Sequence, residues 1–315
     1  MKKFVAASAP GKVILTGEHF VVHGSYAVAA AINKRVKVSV SPSEDGESWI
    51  NSRGIRSRVD SIDEEFPAAR TIARRIIQEF GEKTDAFEML IESEIPAGSG
   101  LGSSSAVSVA CTAALSKYFG AKLDDKEIFE LSMEGERKVH GNPSGIDVQA
   151  SLMGGIILFS RKTGAKSISL GKSIEIIVIF SGKKRSTSRL VAAVARRKER
   201  YPHFFQQLTD SASFQSLELV DALKVADFSR LGALFNIAQA ELDWIGVSTD
   251  YIDELIERVS GLETLGAKIT GAGGGGSIIA IPKPEASRSL LESALEHHEY
   301  SFITSFPQEG LRWEK

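Results

Sequence analysis

Along the chain the spacing of apolar positions changes several times, and each change predicts an element. KFVAASA, KVILTGE and YAVAAAINKRVKVSV are apolar or alternating, the pattern of strands, with Pro10, Gly17 and Gly24 as punctuation. In EFPAARTIARRIIQEF the period becomes four, with Ala68, Ile72, Ile76 and Phe80 on one face, which predicts an amphipathic helix. FEMLIES returns to strand alternation. SSSAVSVACTAALSKYFG is small and apolar around most of its circumference, as expected of a central helix packed on several sides. DDKEIFELSMEGERKVH predicts a helix with an acidic start and a basic end, matching the macrodipole, and it stops at GNPSG.

GGIILFS and IEIIVIFSG read as strands, and RKTGAKSISLGKS between them is the expected domain boundary. Beyond it TSRLVAAVARRKERY, FQSLELVDALKVADFSRLGALFNIAQAELDWIG and DYIDELIERVSGLETLG carry helical periodicity. AKIT and SIIAIP flank the cluster GAGGGG, and SRSLLESALEHH and YSFITSF predict a last helix and strand. Strands flanked by helices in this manner predict an α+β protein.

Composition narrows the functions available. With 315 residues and 43% hydrophobic content there is material for two domains or one large one. Thirty-eight Lys and Arg balance 40 Asp and Glu, and no basic run offers a track for nucleic acid. Cys111 is the only cysteine, so neither a disulfide framework nor a thiolate metal cluster is available. No window approaches the roughly 18 to 20 apolar residues of a membrane span, and MKKFVAAS is too short for a signal-peptide core; the expectation is a cytoplasmic protein without membrane or nucleic-acid partners.

Four stretches could carry chemistry. IPAGSGLGSSSA joins a strand to a buried helix through several glycines, which permit unusual backbone angles and bring helix N-terminal amides toward an anion. Alone, it fits a tight turn capped by Ser103 equally well. It lacks the lysine of a Walker A loop, the KSISLGKS decoy has Lys166 where that loop needs glycine, and the spacing of Gly98, Gly100 and Gly102 is wrong for a dinucleotide fingerprint. APGKVILTGEHFVVHG places Lys12 ahead of an apolar strand and Glu18 and His19 where it turns; a charge on so apolar a segment must be exposed or paired. GERKVHGNPSGIDVQAS contributes Glu136 on a helix and Asp147 past a Pro/Gly turn, each of which could be purely structural. Together with a Gly/Ser loop and a lysine, however, the two carboxylates make up the inventory for magnesium-dependent phosphoryl transfer. Finally, the glycines of KITGAGGGGSIIAI are costly in backbone entropy, so a ligand or another backbone is expected to approach closely.

With these stretches assembled, the chain resembles the kinase superfamily named for galactokinase, homoserine kinase, mevalonate kinase and phosphomevalonate kinase, through APGKVILTGEH, IPAGSGLGSSSA and KITGAGGGG in that order. GKVILTGEHFVVHG and GERKVHGNPSGID look most like its mevalonate kinase branch. The resemblance implies an N-terminal ATP-binding domain (1–165) with a left-handed βαβ crossover, a C-terminal ferredoxin-like domain (166–315) and a site between them. It implies phosphorylation of the 5-hydroxyl of (R)-mevalonate by ATP with Mg2+; the alternatives are a sibling kinase for another small hydroxylated acid or sugar, or a non-catalytic ATP-binding regulator. A homodimer is left open.

By the same resemblance Pro96, Ala97, Gly98, Ser99, Gly100, Leu101, Gly102, Ser103, Ser104, Ser105 and Ala106 wrap the nucleotide phosphates. Ser104 and Glu136 hold Mg2+, Asp147 and Lys12 are catalytic and also face the substrate, and Glu18, His19, Thr187 and Gly273 contact it. Asp147 is either base or orienter. Two departures from the family pattern stand out. Ser105 replaces a common alanine, leaving open which of Ser103, Ser104 and Ser105 meets the metal, and Phe20 stands where a small residue is common, which bears on the substrate pocket.

Overall fold

The structure, a computed structural model, describes residues 4–81, 86–183, 187–286 and 300–314, without the side chains of 187–189. Strand β1 (Val5–Thr16) runs unbroken through Pro10, where two strands were expected. The ladder between β1 and β2 (Ala27–Pro42) is irregular between Pro10 and Lys12, and a bulge is a place where a proline's missing N–H is tolerated. The hairpin β3 (Trp49–Ser52) and β4 (Ile55–Arg58) follows, then helix α1 (Pro67–Phe80), which buries the expected Ala68, Ile72 and Ile76. β5 (Phe87–Ser93) pairs parallel with β3 and antiparallel with β2.

Helices α2 (Ser103–Tyr118), α3 (Asp125–His140) and α4 (Ile146–Met153) come next, followed by β6 (Ile156–Ser160) and β7 (Gly164–Ile168). α2 is buried nearly all round, as its composition predicts, and α1 and α3 pack on it. β7 pairs with β6, so the boundary expected between 165 and 166 falls inside a strand of the first sheet. The physical reason is local: the five residues of β7 pair along the whole of β6 as a hairpin and need no core of their own.

The rest of the chain builds a second sheet. β8 (Ile174–Phe180) leads into α5 (Thr187–Arg200), α6 (Pro202–Val225), α7 (Phe228–Trp244) and α8 (Asp250–Ser260). The long periodic run over 214–246 is thus two helices, broken where Ala226 turns left-handed (φ 53°) and Asp227 caps the next helix by accepting from the Arg230 amide. β9 (Thr264–Thr270), β10 (Ser277–Pro282) and β11 (Ser301–Phe306) complete a four-stranded antiparallel sheet in the order β11-β8-β10-β9. Numbered within this sheet the order is 4-1-3-2, that of a ferredoxin-like unit. The helix expected at SRSLLESALEHH lies outside the described residues.

Both faces of this small sheet are buried, as its uninterrupted apolar run anticipates. Ile177, Ile179, Ile269 and Ile278 join a core with Phe205 and Ile252, while Ile176, Val178 and Ile279 belong to the large core around α2. A short unpredicted strand, β12 (Arg312–Glu314), returns to pair with β1 and completes an eight-stranded first sheet. No described helix is long and apolar enough to cross a membrane.

Candidate active site

Backbone proximity comes first. The irregularity at Gly11 brings β1 against the segment before α2: a Cβ on Gly11 would lie 2.6 Å from the Leu101 carbonyl, and one on Gly102 would lie 2.9 Å from Lys12 Cγ. The Lys12 amide donates to Leu101 O at 2.8 Å, lacing the two segments together. Lys12 therefore reaches under the glycine loop, where its Nζ donates to Gly100 O at 3.2 Å and lies 3.2 Å from Asp147 Oδ2. Its side chain is only 3% exposed, whereas that of Asp147 is 36% exposed, so the pair has one buried member and one open to a ligand.

The loop itself is uncapped. Gly98, Gly100 and Gly102 all have φ between 76° and 81°, and α2 starts from Gly102 without a side-chain cap. Ser103 is the first helical residue rather than the cap, which leaves amides of the first turn free to receive an anion. Around the loop, Ser99 Oγ donates to Pro96 O at 2.7 Å and Ser277 Oγ donates to Ser99 O at 3.0 Å, tying it to the second sheet.

Of the three serines, Ser105 is buried and turns back toward Gly102 O (3.3 Å). Ser104 donates to Glu136 Oε1 at 2.5 Å. Glu136 can lie this deep because residue 135 is glycine: a Cβ there would sit 2.8 Å from Ile72 Cδ1 and 2.9 Å from Ser108 Oγ, so α3 packs directly on α1 and α2. Burial pushes the Glu136 carboxyl up to about 7; the Ser104 hydrogen bond opposes this, Asp147 adds to it, and Lys12 opposes it. Asp147 occupies the first turn of α4, behind a Gly145 cap, and is therefore not the cap itself.

Glu18, His19 and Gly273 are each engaged by other protein groups. Glu18 is 2% exposed and forms an ion pair with Lys268, which is fully buried on β9. His19, in a left-handed conformation (φ 62°), shares a 3.0 Å hydrogen bond with Ala272 O in the glycine cluster. Gly273 (φ +75°) answers to protein backbone: a Cβ there would lie 2.4 Å from Val247 O. Thr187 opens α5, and its side chain lies outside the described residues. Phe20, expected to bear on the substrate pocket, turns into the second core and packs on Phe205 with ring centroids 5.7 Å apart, because the turn after β1 points its apolar side at α6.

Two residues escaped the sequence reading. Lys268 could have been found by the rule applied to Lys12, since a charge inside an apolar strand needs a partner. Arg161 donates to Asn142 Oδ1 and Pro143 O, both at 3.3 Å, and braces the turn before Asp147; an isolated surface arginine carries no comparable signal. Two surface hollows, about 480 Å³ beside Phe214 and Leu234 and about 610 Å³ beside Ile168 and Lys224, are lined by none of these residues.

Residues 68–155 match the family described as GHMP kinases N terminal domain, and residues 219–301 match GHMP kinases C terminal. Mevalonate kinase of Archaeoglobus fulgidus is 39% identical over 311 residues, covering 98% of this chain and 99% of its own. That of Aeropyrum pernix is 34% identical over the whole of both chains. The chain belongs to the GHMP kinase family, in its mevalonate kinase branch. Among solved structures, the one described as L. major mevalonate kinase in complex with R-mevalonate superposes with a TM-score of 0.80 at 26% identity, covering 96% of each chain. For a GHMP kinase the matched N-terminal segment contains the loop, Ser104, Glu136 and Asp147, while Lys12 enters from a strand that precedes it.

Proposed function

We propose that this GHMP kinase transfers the γ-phosphoryl group of ATP to the 5-hydroxyl of (R)-mevalonate, giving 5-phosphomevalonate and ADP. The observation that carries this reading is the pair Lys12–Asp147 at 3.2 Å beneath an uncapped phosphate loop, in a chain whose relatives of matching length are mevalonate kinases. It is set in the cytoplasm, as an early step toward isoprenoids.

The chain's own residues divide the work. The first-turn amides of α2 and the loop 96–106 receive the phosphates. Asp147, the exposed member of its pair, accepts a hydrogen bond from the substrate hydroxyl and holds that oxygen in line with the γ-phosphorus. As the new O–P bond forms and the bond to ADP breaks, the hydroxyl proton passes to Asp147 or, late, to the phosphoryl oxygens. Lys12, fixed by Gly100 O and Asp147, places its charge against the transferring group. Mg2+ fits Ser104 and Glu136: an oxygen-only pair, one of them a deeply buried carboxylate with a hydroxyl against it, is a hard-cation donor set that phosphate oxygens would complete. When bound, Mg2+ neutralises charge on the β- and γ-phosphates. The chain carries all four of Lys12, Ser104, Glu136 and Asp147, which disfavours a regulator that has lost catalysis.

The test is ADP release by the purified protein with Mg-ATP and, separately, mevalonate, phosphomevalonate, homoserine or galactose. Mevalonate is expected to stimulate release most; no stimulation by mevalonate refutes the proposal, and stimulation by another member reassigns the substrate. Asp147→Asn is expected to lower kcat by about 100- to 10,000-fold with ATP binding retained, and wild-type turnover in that variant would remove Asp147 from its role.

A further inference from the structure

Glu18 and Lys268 are 250 positions apart, yet form a buried ion pair exposed at only 2% and 0%. Burying two charges is costly unless every donor and acceptor is used. Here the Lys268 ammonium also donates to Ile269 O at 2.6 Å and to Ile14 O at 3.4 Å, and the Phe235 ring lies 5.9 Å away. The contact to Ile14 crosses from β9 to β1, the strand of Lys12, and the contact to Glu18 reaches the turn just past the end of that strand. Thr270 adds two more crossings, accepting from the Ile14 amide at 2.8 Å and donating to Ile14 O at 3.2 Å. One residue past Glu18, His19 meets Ala272 O at the far end of the same connection.

From this geometry we infer that Glu18 and Lys268 are positioning residues: their ion pair pins the turn that ends β1 to β9 and, with the contacts to Ile14, thereby sets where Lys12 stands relative to the phosphate loop, without either side chain touching substrate. A carboxylate 2% exposed and already paired has no face to offer a substrate alcohol or acid. Electrostatics point the same way. Lys12 lies close enough to Glu18 and Lys268 to act on both charges, so Glu18 offsets a second buried cation that would otherwise repel the catalytic ammonium. The inference rests on the mevalonate kinase reading for its kinetic readout, but its structural readout is independent of the substrate.

Three variants test it: Glu18→Gln, Lys268→Met and the double Glu18→Met/Lys268→Met. Each single variant is expected to lower kcat per folded molecule by about 10- to 100-fold with the KM for mevalonate within about threefold, because misplaced catalytic groups cost turnover rather than ground-state binding. The double variant should fold better than either single one, since no buried charge is left unpaired, and its kcat should still be depressed. Amide hydrogen exchange at Ile14 should quicken in all three. A KM raised tenfold with kcat intact would show that Glu18 touches substrate, and wild-type kcat in the folded double variant would reduce the pair to a structural role; either overturns the inference. If the single variants do not fold, the double variant alone decides. If the wild-type protein fails to turn over mevalonate, the substrate reading falls, and unchanged exchange at Ile14 would then sink the pair separately.

Discussion

Two glycine-rich segments face the same region of the molecule and use glycine for opposite ends. In the loop 96–106 the left-handed Gly98 has no protein atom within 4 Å of where a Cβ would stand, and the helix after it begins without a cap. In the cluster 271–276 the space is filled: Gly273 abuts Val247 O, Gly274 abuts Leu190 and Gly275 abuts the Lys183 carbonyl at 2.8 Å. At Gly98 the first segment keeps its surroundings clear for something that is not protein, even though Gly102 closes on Lys12, while Gly273 and Gly275 of the second let backbone pass close to backbone. Glycine content alone therefore does not identify a ligand loop; the occupant of the missing side chain's place does.

The sharpest way to break this contrast is to add the same methyl group to both. Gly273→Ala combines a left-handed backbone with a clash against Val247 O and is expected to cost about 3 kcal/mol of stability or more, read as a lowered denaturation midpoint. Gly98→Ala carries only the backbone penalty, about 1 to 2 kcal/mol, and should instead raise the KM for ATP. Equal losses of stability in the two variants would erase the distinction.

Smaller effects sharpen the picture of the open loop. Ser104→Ala should raise the Mg2+ concentration for half-maximal activity by about 10- to 100-fold, by analogy with the loss of groups that support a metal, while Ser105→Ala should leave it unchanged. An unaffected metal titration in the Ser104 variant would turn attention to Ser103. Smaller again is a pH effect. Glu136 titrates near 7 when no cation is bound, so protons compete with Mg2+, and the half-saturating Mg2+ concentration should be up to about tenfold higher at pH 6 than at pH 8. The sign for stability is the reverse: with its carboxyl raised in the folded state, the metal-free protein holds an extra proton and loses stability as pH rises from the ordinary carboxylate range through about 7. A flat midpoint over that interval would remove the buried-carboxylate account.

Much of this was legible beforehand, for identifiable reasons. Period and composition predicted α1, α2 and α3 because each is amphipathic or uniformly small, and the residue types of IPAGSGLGSSSA, Glu136 and Asp147 carried their chemistry with them. What escaped depends on distant partners. β12 is Arg-Trp-Glu, too short for its pattern to predict a strand, and exists as a strand because β1 supplies the ladder. The break at Ala226 involves neither glycine nor proline, and the burial of Glu18 is intelligible only with Lys268 in view.

The pairing of β12 with β1 has a consequence for synthesis. Ala6, Ala7 and Ser8 meet Glu314, Trp313 and Arg312, so the outer neighbour of this part of β1 is made some 300 residues after it. At about 5 to 20 residues per second that interval is about 15 to 60 seconds, during which the strand of Lys12 presents an unpaired edge of the kind that recruits other chains. A nascent chain halted before Arg312 keeps that edge, and its aggregation during translation would be the cost of closing the first sheet with a strand made so long after β1.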